Sequence, residues 1–587
     1  MEINLLQFLL YLSFLIKNVH LDPNDTNISS NLDNLEKCYE HLGCFPRVEF
    51  IDVAGESMML LPQSFEEISL SLRLFTWRNR QSPIDLQYHF EESQLNNSTY
   101  EKGLKNKFII HGLVDSTNET DWMNQVRDNI LSGVPKNWNR WIKPINVFTV
   151  DWSNGAKKVN SCQSIVNSQV VGTAIVHFIK RLEMFSALKM SDIHLIGFGL
   201  GANIAGYVGE RIKAPYIGRI SGIDSLGPDF YQNLTSLRLD PTDALFVDAL
   251  HNYDTIGGPP VGDVDLYPNG GYHMCNESKG LFIDSNGTYD KVTNETVSCN
   301  ENFAAQLMLV NSESFDCQFV GYQCSSYDKF EKGQCTVDCG DDGKKCVPFR
   351  IYSDRVFGLN LNRKTQDTFF DGKSKKYYFK TSDKFPYCLH HYGINFTLSN
   401  YSEPGLASIT INLESEKGNA YGLNISDNFS NFEPGGKYTY LLTSEINLYP
   451  LKRATIKWTF PKADDYNSSK NISNPRIFIL RISVKYFLKL FYRINSDLCP
   501  EHSPEFPNGS QESFVPCWYP YDPDEPLGLG LVYKPPPKSS NSEENDEDST
   551  KKSEIEKLKN LANQQGSSRG VLFGKNRNLF TTTENPE

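Results

Sequence analysis

The stretch "HLIGFGLGANIAGYVGE" (residues 194–210) reads as a buried strand, a tight Gly-x-Gly-x-Gly turn and a helix. A strand–turn–helix elbow of this kind, written Gly-x-Ser-x-Gly, lifts a serine hydroxyl off the end of a sheet for acyl transfer. Acyl transfer needs a nucleophile, a base to take its proton and an acid to orient the base. The apex here is Gly199, which has no side chain to attack with. No Ser, Thr or Cys lies between Asp192 and Ser221, so a shifted nucleophile on the elbow is ruled out. An elbow apex sits in a strained backbone region at a cost of order 1–3 kcal/mol. Glycine accepts that conformation more easily, so Gly199 keeps the turn while removing the nucleophile.

The elements that would carry such an elbow alternate along the first two thirds of the chain. "KFIIHG" (107–112), "INVFTVDW" (145–152), "IHLIG" (193–197) and "IGRISGID" (217–224) read as short apolar strands. "SQVVGTAIVHFIKRLEMF" (168–185) and "ANIAGYVGERI" (202–212) have helical spacing. Strand–helix alternation predicts an α/β domain with a parallel-rich sheet, whose functional groups sit at the carboxyl ends of its strands. After about residue 385 the apolar period becomes two, as in "ASITINLES" and "ATIKWTF", which predicts an all-β sandwich. Residues 523–587 are proline-rich and then charged, and are expected to be a disordered tail.

The 587 residues suit two or three domains. A net charge of −13 argues against nucleic acid as a partner. The apolar run Leu5–Ile16 is short for a membrane span, so residues 1–20 are read as a signal peptide, with a signal anchor as the alternative. Dense Asn-x-Ser/Thr sequons, among them Asn97, Asn118, Asn395 and Asn508, suit a secreted glycoprotein. Of 13 cysteines, the close pairs Cys38/Cys44, Cys324/Cys335 and Cys339/Cys346 read as small disulfide loops in an oxidising compartment.

These features, taken in order, resemble the secreted pancreatic lipase family of triacylglycerol lipases, lipoprotein lipase and phospholipases A1. The resemblance rests on "CYEHLGCF", "FIIHGLVD", "VDW", the 193–210 elbow, "ISGIDSLGPDF", "LRLDPTDALFVDALH", "DLYPNGG" and "CSSYDKFEKGQCTVDCGDDGKKC". It implies an α/β-hydrolase domain over 36–365 and a PLAT-type sandwich over 385–520. It implies that Gly199 stands at the nucleophile position and Asp224 at the orienting acid. The base, two residues after a cysteine in the family, falls on Glu301 in "CNE". A carboxylate with an ordinary pKa near 4.3 is a poor base for a serine hydroxyl. Asp224 alternatively caps a turn, and Glu301 alternatively is a solvated loop residue. The oxyanion donors implied are the backbone N–H groups of Leu113 and Leu200.

The resemblance also implies a Ca²⁺ loop in "LTSLRLDPTD", with carboxylates from Asp240 and Asp243 and carbonyls from Thr235 and Arg238. The alternative is a helix start, with Asp240 as N-cap and Pro241 behind it. Cys275 and Cys299 would close a lid, though its apolar patch is short and it carries sequons at Asn276, Asn286 and Asn294. Cys499 and Cys517 would clip the end of the sandwich, leaving Cys162, Cys317 and Cys388 without evident partners.

The expected function is therefore non-enzymatic: binding, carrying or storing lipid or another hydrophobic small molecule in the former acyl pocket. The sandwich would meet a lipid surface or a protein partner. One alternative is a weak carboxylic ester hydrolase, a triacylglycerol lipase or phospholipase A1 with an unrecognised nucleophile. Another is a protein that works by its surface alone, without a ligand.

Overall fold

The computed structural model describes residues 35–51, 57–114, 121–132, 144–227, 235–251, 260–271, 319–335, 339, 345–349, 375–382, 387–424, 430–460, 476–488, 492–501, 505–506 and 511–517. The expected signal peptide, the lid between Cys275 and Cys299, Glu301, Cys317 and the tail fall outside these residues.

An eleven-stranded sheet forms the first domain. Its strands in chain order are β1 (Ser71–Phe75), β2 (Ile84–Leu86), β3 (Lys105–Ile110), β4 (Ile145–Asp151), β5 (Ile193–Phe198), β6 (Arg219–Ile223), β7 (Val247–Leu250), β8 (Val264–Pro268), β9 (Val320–Gln323), β10 (Cys346–Pro348) and β11 (Lys375–Phe379). Across the sheet the order is β10-β9-β11-β8-β7-β6-β5-β3-β4-β1-β2. From β4 through β3, β5, β6, β7 and β8 to β11 every pairing is parallel. The remaining strands join antiparallel at the two edges.

The apolar strands bury both faces, as parallel strands require. Phe108 and Ile110 of β3 join one core with helices α2 (Ser161–Ser186) and α3 (Leu200–Arg211). The intervening Ile109 joins a second core with helix α1 (Asp121–Ser132). Helix α2 starts where the Asn160 side chain accepts the Gln163 N–H at 3.3 Å, and ends at Ala187 in the left-handed region. It packs so closely on α3 that a Cβ on Gly172 would lie 2.5 Å from the Tyr207 ring.

The chain leaves β3 for β4 on one side, then crosses back through α2 to β5 on the other. The strand order therefore reverses between β3 and β5. In open α/β sheets that reversal opens a crevice beyond the carboxyl ends of the strands, where ligands bind.

The hydrolase sheet extends past the expected boundary at 365, because β11 pairs in register with β8. The strands that follow, beginning with His390–Leu398, are all antiparallel. They share one core around Trp458, Ile409, Ile411 and Ile482. Strand Gly405–Ser415 alternates buried and half-exposed residues, the period-two pattern read in the sequence. This is the expected all-β domain.

The disulfides Cys38–Cys44, Cys324–Cys335, Cys339–Cys346 and Cys499–Cys517 are formed. Cys388, for which the sequence showed no evident partner, is disulfide-bonded, and its partner lies outside the described residues. Cys162 is a free thiol.

Candidate functional site

The crevice at the β3–β5 reversal is built around glycines. Gly199 has φ +53° and ψ −124°, outside the regions that residues with a Cβ prefer, and directly precedes α3. Its N–H donates to the Ile223 carbonyl of β6 at 2.8 Å, and its carbonyl accepts from Ala202 N–H at 3.0 Å. The flanking glycines of the motif are there for close approach. A Cβ on Gly197 would lie 2.3 Å from the Gly201 carbonyl, and one on Gly201 would lie 2.2 Å from the Ile110 carbonyl.

Across the crevice, Gly112 brings the end of β3 against the elbow. A Cβ there would sit 2.7 Å from the Phe198 carbonyl oxygen and 3.1 Å from the Leu200 nitrogen. The turn after β3 is held by His111, whose Nε2 accepts the Trp152 N–H at 3.0 Å while its carbonyl accepts the Trp152 indole at 3.0 Å. Leu113 and Leu200 follow these two turns and are both buried. The structure thus brings Leu113 and Leu200 to one crevice, at the start of α3, where the helix dipole favours negative charge.

Asp224 ends β6 beside the elbow. Its backbone is left-handed, with φ +47°, and its N–H donates to the Leu250 carbonyl at 2.8 Å. Gly199 and Asp224 therefore occupy the carboxyl ends of neighbouring strands, where the sequence placed a nucleophile and an acid. Glu301 lies outside the described residues.

Two histidines near these strand ends, His251 and His194, are engaged elsewhere. His251 pairs through Nε2 with Asp265 Oδ1 at 2.7 Å and stacks on Tyr267. His194 belongs to a buried chain of polar groups away from the crevice. Lys107 donates to His194 Nδ1 at 2.6 Å, and His194 Nε2 donates to Ser221 Oγ at 2.8 Å. Ser221 donates to Asp248, which also accepts a forked pair of bonds from Arg219. Burial, then the nearby Lys107 and Arg219, keep the His194 imidazole well below its usual range and neutral. His194 and Arg219 lie at the amino ends of β5 and β6, opposite the elbow. Burial raises the Cys162 pKa, which disfavours the nucleophilic thiolate.

The loop that the sequence assigned to Ca²⁺ packs on the glycine face of α3. A Cβ on Gly206 would lie 3.1 Å from Asp243 Oδ2, and one on Gly209 would lie 2.3 Å from the Asp243 carbonyl. Thr235 opens a short 3₁₀ turn, Thr235–Leu237, and Arg238 is exposed. Residues 241–245 form a turn and a bend rather than a helix, so the helix-start alternative does not hold. Asp240 accepts the Thr242 N–H at 2.8 Å and hydroxyl at 2.6 Å, and pairs with Arg238 at 2.9 Å. Asp243 is 1% exposed and accepts the Asp240 N–H at 2.9 Å. Burial pushes the Asp243 carboxyl up to about 7, with the Lys213 ammonium 3.3 Å from Oδ1. Both carboxylates lie in one loop and are oxygen donors of the kind a hard divalent cation takes.

A parallel sheet closed by helices on both faces, with an elbow at its switch point, defines an α/β hydrolase. The lipase family model matches residues 35–387, more than half of the chain, and the chain belongs to that family. Pancreatic lipase-related protein 2 from Myocastor coypus is 27% identical over 465 residues, covering 77% of this chain and 90% of the relative. Inactive pancreatic lipase-related protein 1 from Canis lupus familiaris is 28% identical, covering 73% and 88%. Human pancreatic triacylglycerol lipase is 28% identical, covering 77% and 91%.

The motifs FIIHGLVD and VDW contain His111, Gly112 and Trp152, but sequence reasoning gave these residues no individual role; together they shape the turn after β3 that meets the elbow. The "HG" following the β3 run was the available signal.

Proposed function

We propose that this protein is a secreted, glycosylated pseudolipase that holds an acyl chain or its ester without cleaving it. The observation that carries the reading is Gly199: the elbow keeps its turn, its hydrogen bonds and its place beside Asp224, and lacks the atom that attacks. Without a nucleophile no acyl-enzyme forms, and a site lacking its triad retains only about 10³–10⁴-fold over water from oxyanion contacts and binding. The Leu113 and Leu200 N–H groups then serve to hold a carbonyl or carboxylate. A relative whose printed name calls it inactive supports this outcome within the family.

The roles of the remaining parts follow from this reading. The all-β domain is of the PLAT type and meets a lipid surface or a protein partner. Asp240 and Asp243, with the carbonyls of Thr235 and Arg238, bind Ca²⁺ as a structural ion that fixes the loop against α3. Among the described residues no helix is long and apolar enough to cross a membrane.

The test is to purify the protein from its own secretory host, extract it with organic solvent and identify lipids by mass spectrometry. A stoichiometric acyl lipid supports the reading. An empty protein that also fails to bind fluorescent fatty acids or acylglycerols contradicts it and favours a surface-only role.

A further inference from the structure

Three histidines far apart in sequence meet on the outside of the hydrolase domain. His41 sits at the tip of the hairpin closed by Cys38–Cys44, in a left-handed backbone conformation with φ +65°. His89 precedes the short helix Glu92–Asn96, and His177 lies on α2. The His41 and His89 rings stack with centroids 3.7 Å apart and planes 5° apart. His89 and His177 have centroids 5.0 Å apart, and His89 Nδ1 faces His177 Nε2 at 2.8 Å.

The surroundings hold this arrangement in place. The Tyr88 hydroxyl donates to the Glu40 carbonyl at 3.0 Å, tying the segment before His89 to the hairpin. Arg181 donates to the Phe90 carbonyl and to Glu91. Glu40 lies 3.4 Å from His41 Nε2. Neutral imidazole is the form that ligates metals.

Two facing imidazole nitrogens share one proton in the hydrogen bond. A metal ion can take that proton's place, provided the donor ring moves its hydrogen to its outer nitrogen. Bonds of about 2.0–2.1 Å at a tetrahedral angle need a nitrogen separation of about 3.3 Å, so the pair must open by roughly 0.5 Å. Among the described residues, the nitrogens of all three rings do not lie within 4.8 Å of one another, so the third ligand must swing in. His41, exposed at a hairpin tip, must leave its stack on His89 and its contact with Glu40 to do so. Imidazole donors select zinc- or copper-like ions over Ca²⁺ or Mg²⁺, which prefer oxygen.

We propose that His89 Nδ1 and His177 Nε2, completed by His41, bind a divalent transition-metal ion and pin the N-terminal hairpin to helix α2. The site is separate from the crevice and does not depend on the crevice's function.

The test uses untagged, full-length glycosylated protein, titrated with Zn²⁺ by calorimetry in excess Ca²⁺. The expected result is one Zn²⁺ per chain, weakened at least about tenfold in His89→Gln and in His177→Gln, and weakened by a smaller factor in His41→Gln. Binding by wild type that both inner variants leave unchanged would overturn the proposal, as would no binding at all. Unchanged affinity in His41→Gln would overturn the three-ring set. A readout on wild type alone guards against misfolded variants. Zn²⁺ should protect His89 and His177 from diethyl pyrocarbonate, mapped by mass spectrometry, and equal labelling with and without Zn²⁺ counts against the site.

Discussion

A Cβ built on Gly199 meets nothing nearer than the Cα of Gly112, 3.9 Å away, whereas a Cβ built on Gly112 would lie 2.7 Å from the Phe198 carbonyl oxygen. The two glycines face each other across the crevice for opposite reasons. Gly112 is required by close approach, while Gly199 leaves open space where a side chain would stand.

The pair gives a contrast that mutagenesis can read. Gly199→Ser should fold, losing about 1–3 kcal/mol to its strained φ and no more. Gly112→Ala must push backbone aside and should cost about as much or more while also moving the Leu113 turn off the elbow. Urea unfolding measures the first, and loss of bound acyl ligand in Gly112→Ala but not Gly199→Ser measures the second. Serine alone should bring little hydrolysis, since its base is missing. Gly199→Ser with Glu301→His should gain ester turnover.

The neutral form of His391 is fully satisfied. Its Nδ1 donates to the Leu389 carbonyl at 3.0 Å and its Nε2 accepts the Lys380 N–H at 2.8 Å. A proton on Nε2 would point at that N–H, and burial pushes the group down to about 3. The unfolded chain, with an ordinary value near 6.5, takes up a proton that the folded chain refuses. Stability from this group is therefore complete above pH 6.5 and is lost as pH falls from about 6.5 towards 3. At about 1.4 kcal/mol per pH unit the loss is about 2 kcal/mol at pH 5. The shift in urea midpoint between pH 7.5 and pH 5 should shrink by that amount in His391→Gln.

Asp248 accepts from both Ser221 and Arg219 in the Lys107–His194–Ser221–Arg219 chain, and it is 3% exposed. Removing one side of a buried ion pair strands the other charge. Asp248→Asn should cost about 3–5 kcal/mol, while Ser221→Ala, which removes only a relay hydroxyl, should cost about 1–3 kcal/mol. Thermal or urea unfolding of the two variants gives the order.

Lys213 and Ca²⁺ compete for Asp243 under the proposed loop assignment. Adding Ca²⁺ should raise the melting temperature and chelation should reverse it, by up to about 2.7 kcal/mol at a hundredfold excess over the dissociation constant. Asp243→Asn should abolish the response. Lys213→Ala should tighten Ca²⁺ binding, because the ammonium 3.3 Å from Oδ1 no longer has to be displaced.

The sequence was informative wherever a local pattern decided the structure. The apolar runs gave the strands around the elbow, with ends within a few residues, and the glycine spacing gave the turn. Helix α2 begins at Ser161, seven residues before the periodic stretch starts at Ser168, because Ser161, Gln163, Ser164 and Asn167 mask the apolar period in its first two turns, although Ile165 and Val166 there already join the core. Boundaries failed where pairing partners are distant: β11 belongs to the hydrolase sheet because it pairs with β8, which no local pattern records. The demand for glycine at 112 is likewise a relation between two turns. The three-histidine stack joins residues 41, 89 and 177, and no spacing rule connects them.

The most direct test of the central claim is ester hydrolysis by the secreted wild-type protein beside Asp224→Asn. Substrates should be a short-chain ester, a long-chain triacylglycerol and a phospholipid. The account predicts that wild type and Asp224→Asn are equally silent, and that bound acyl ester is recovered uncleaved from both. Turnover by wild type that Asp224→Asn abolishes would contradict it, and would mean that another group supplies the nucleophile.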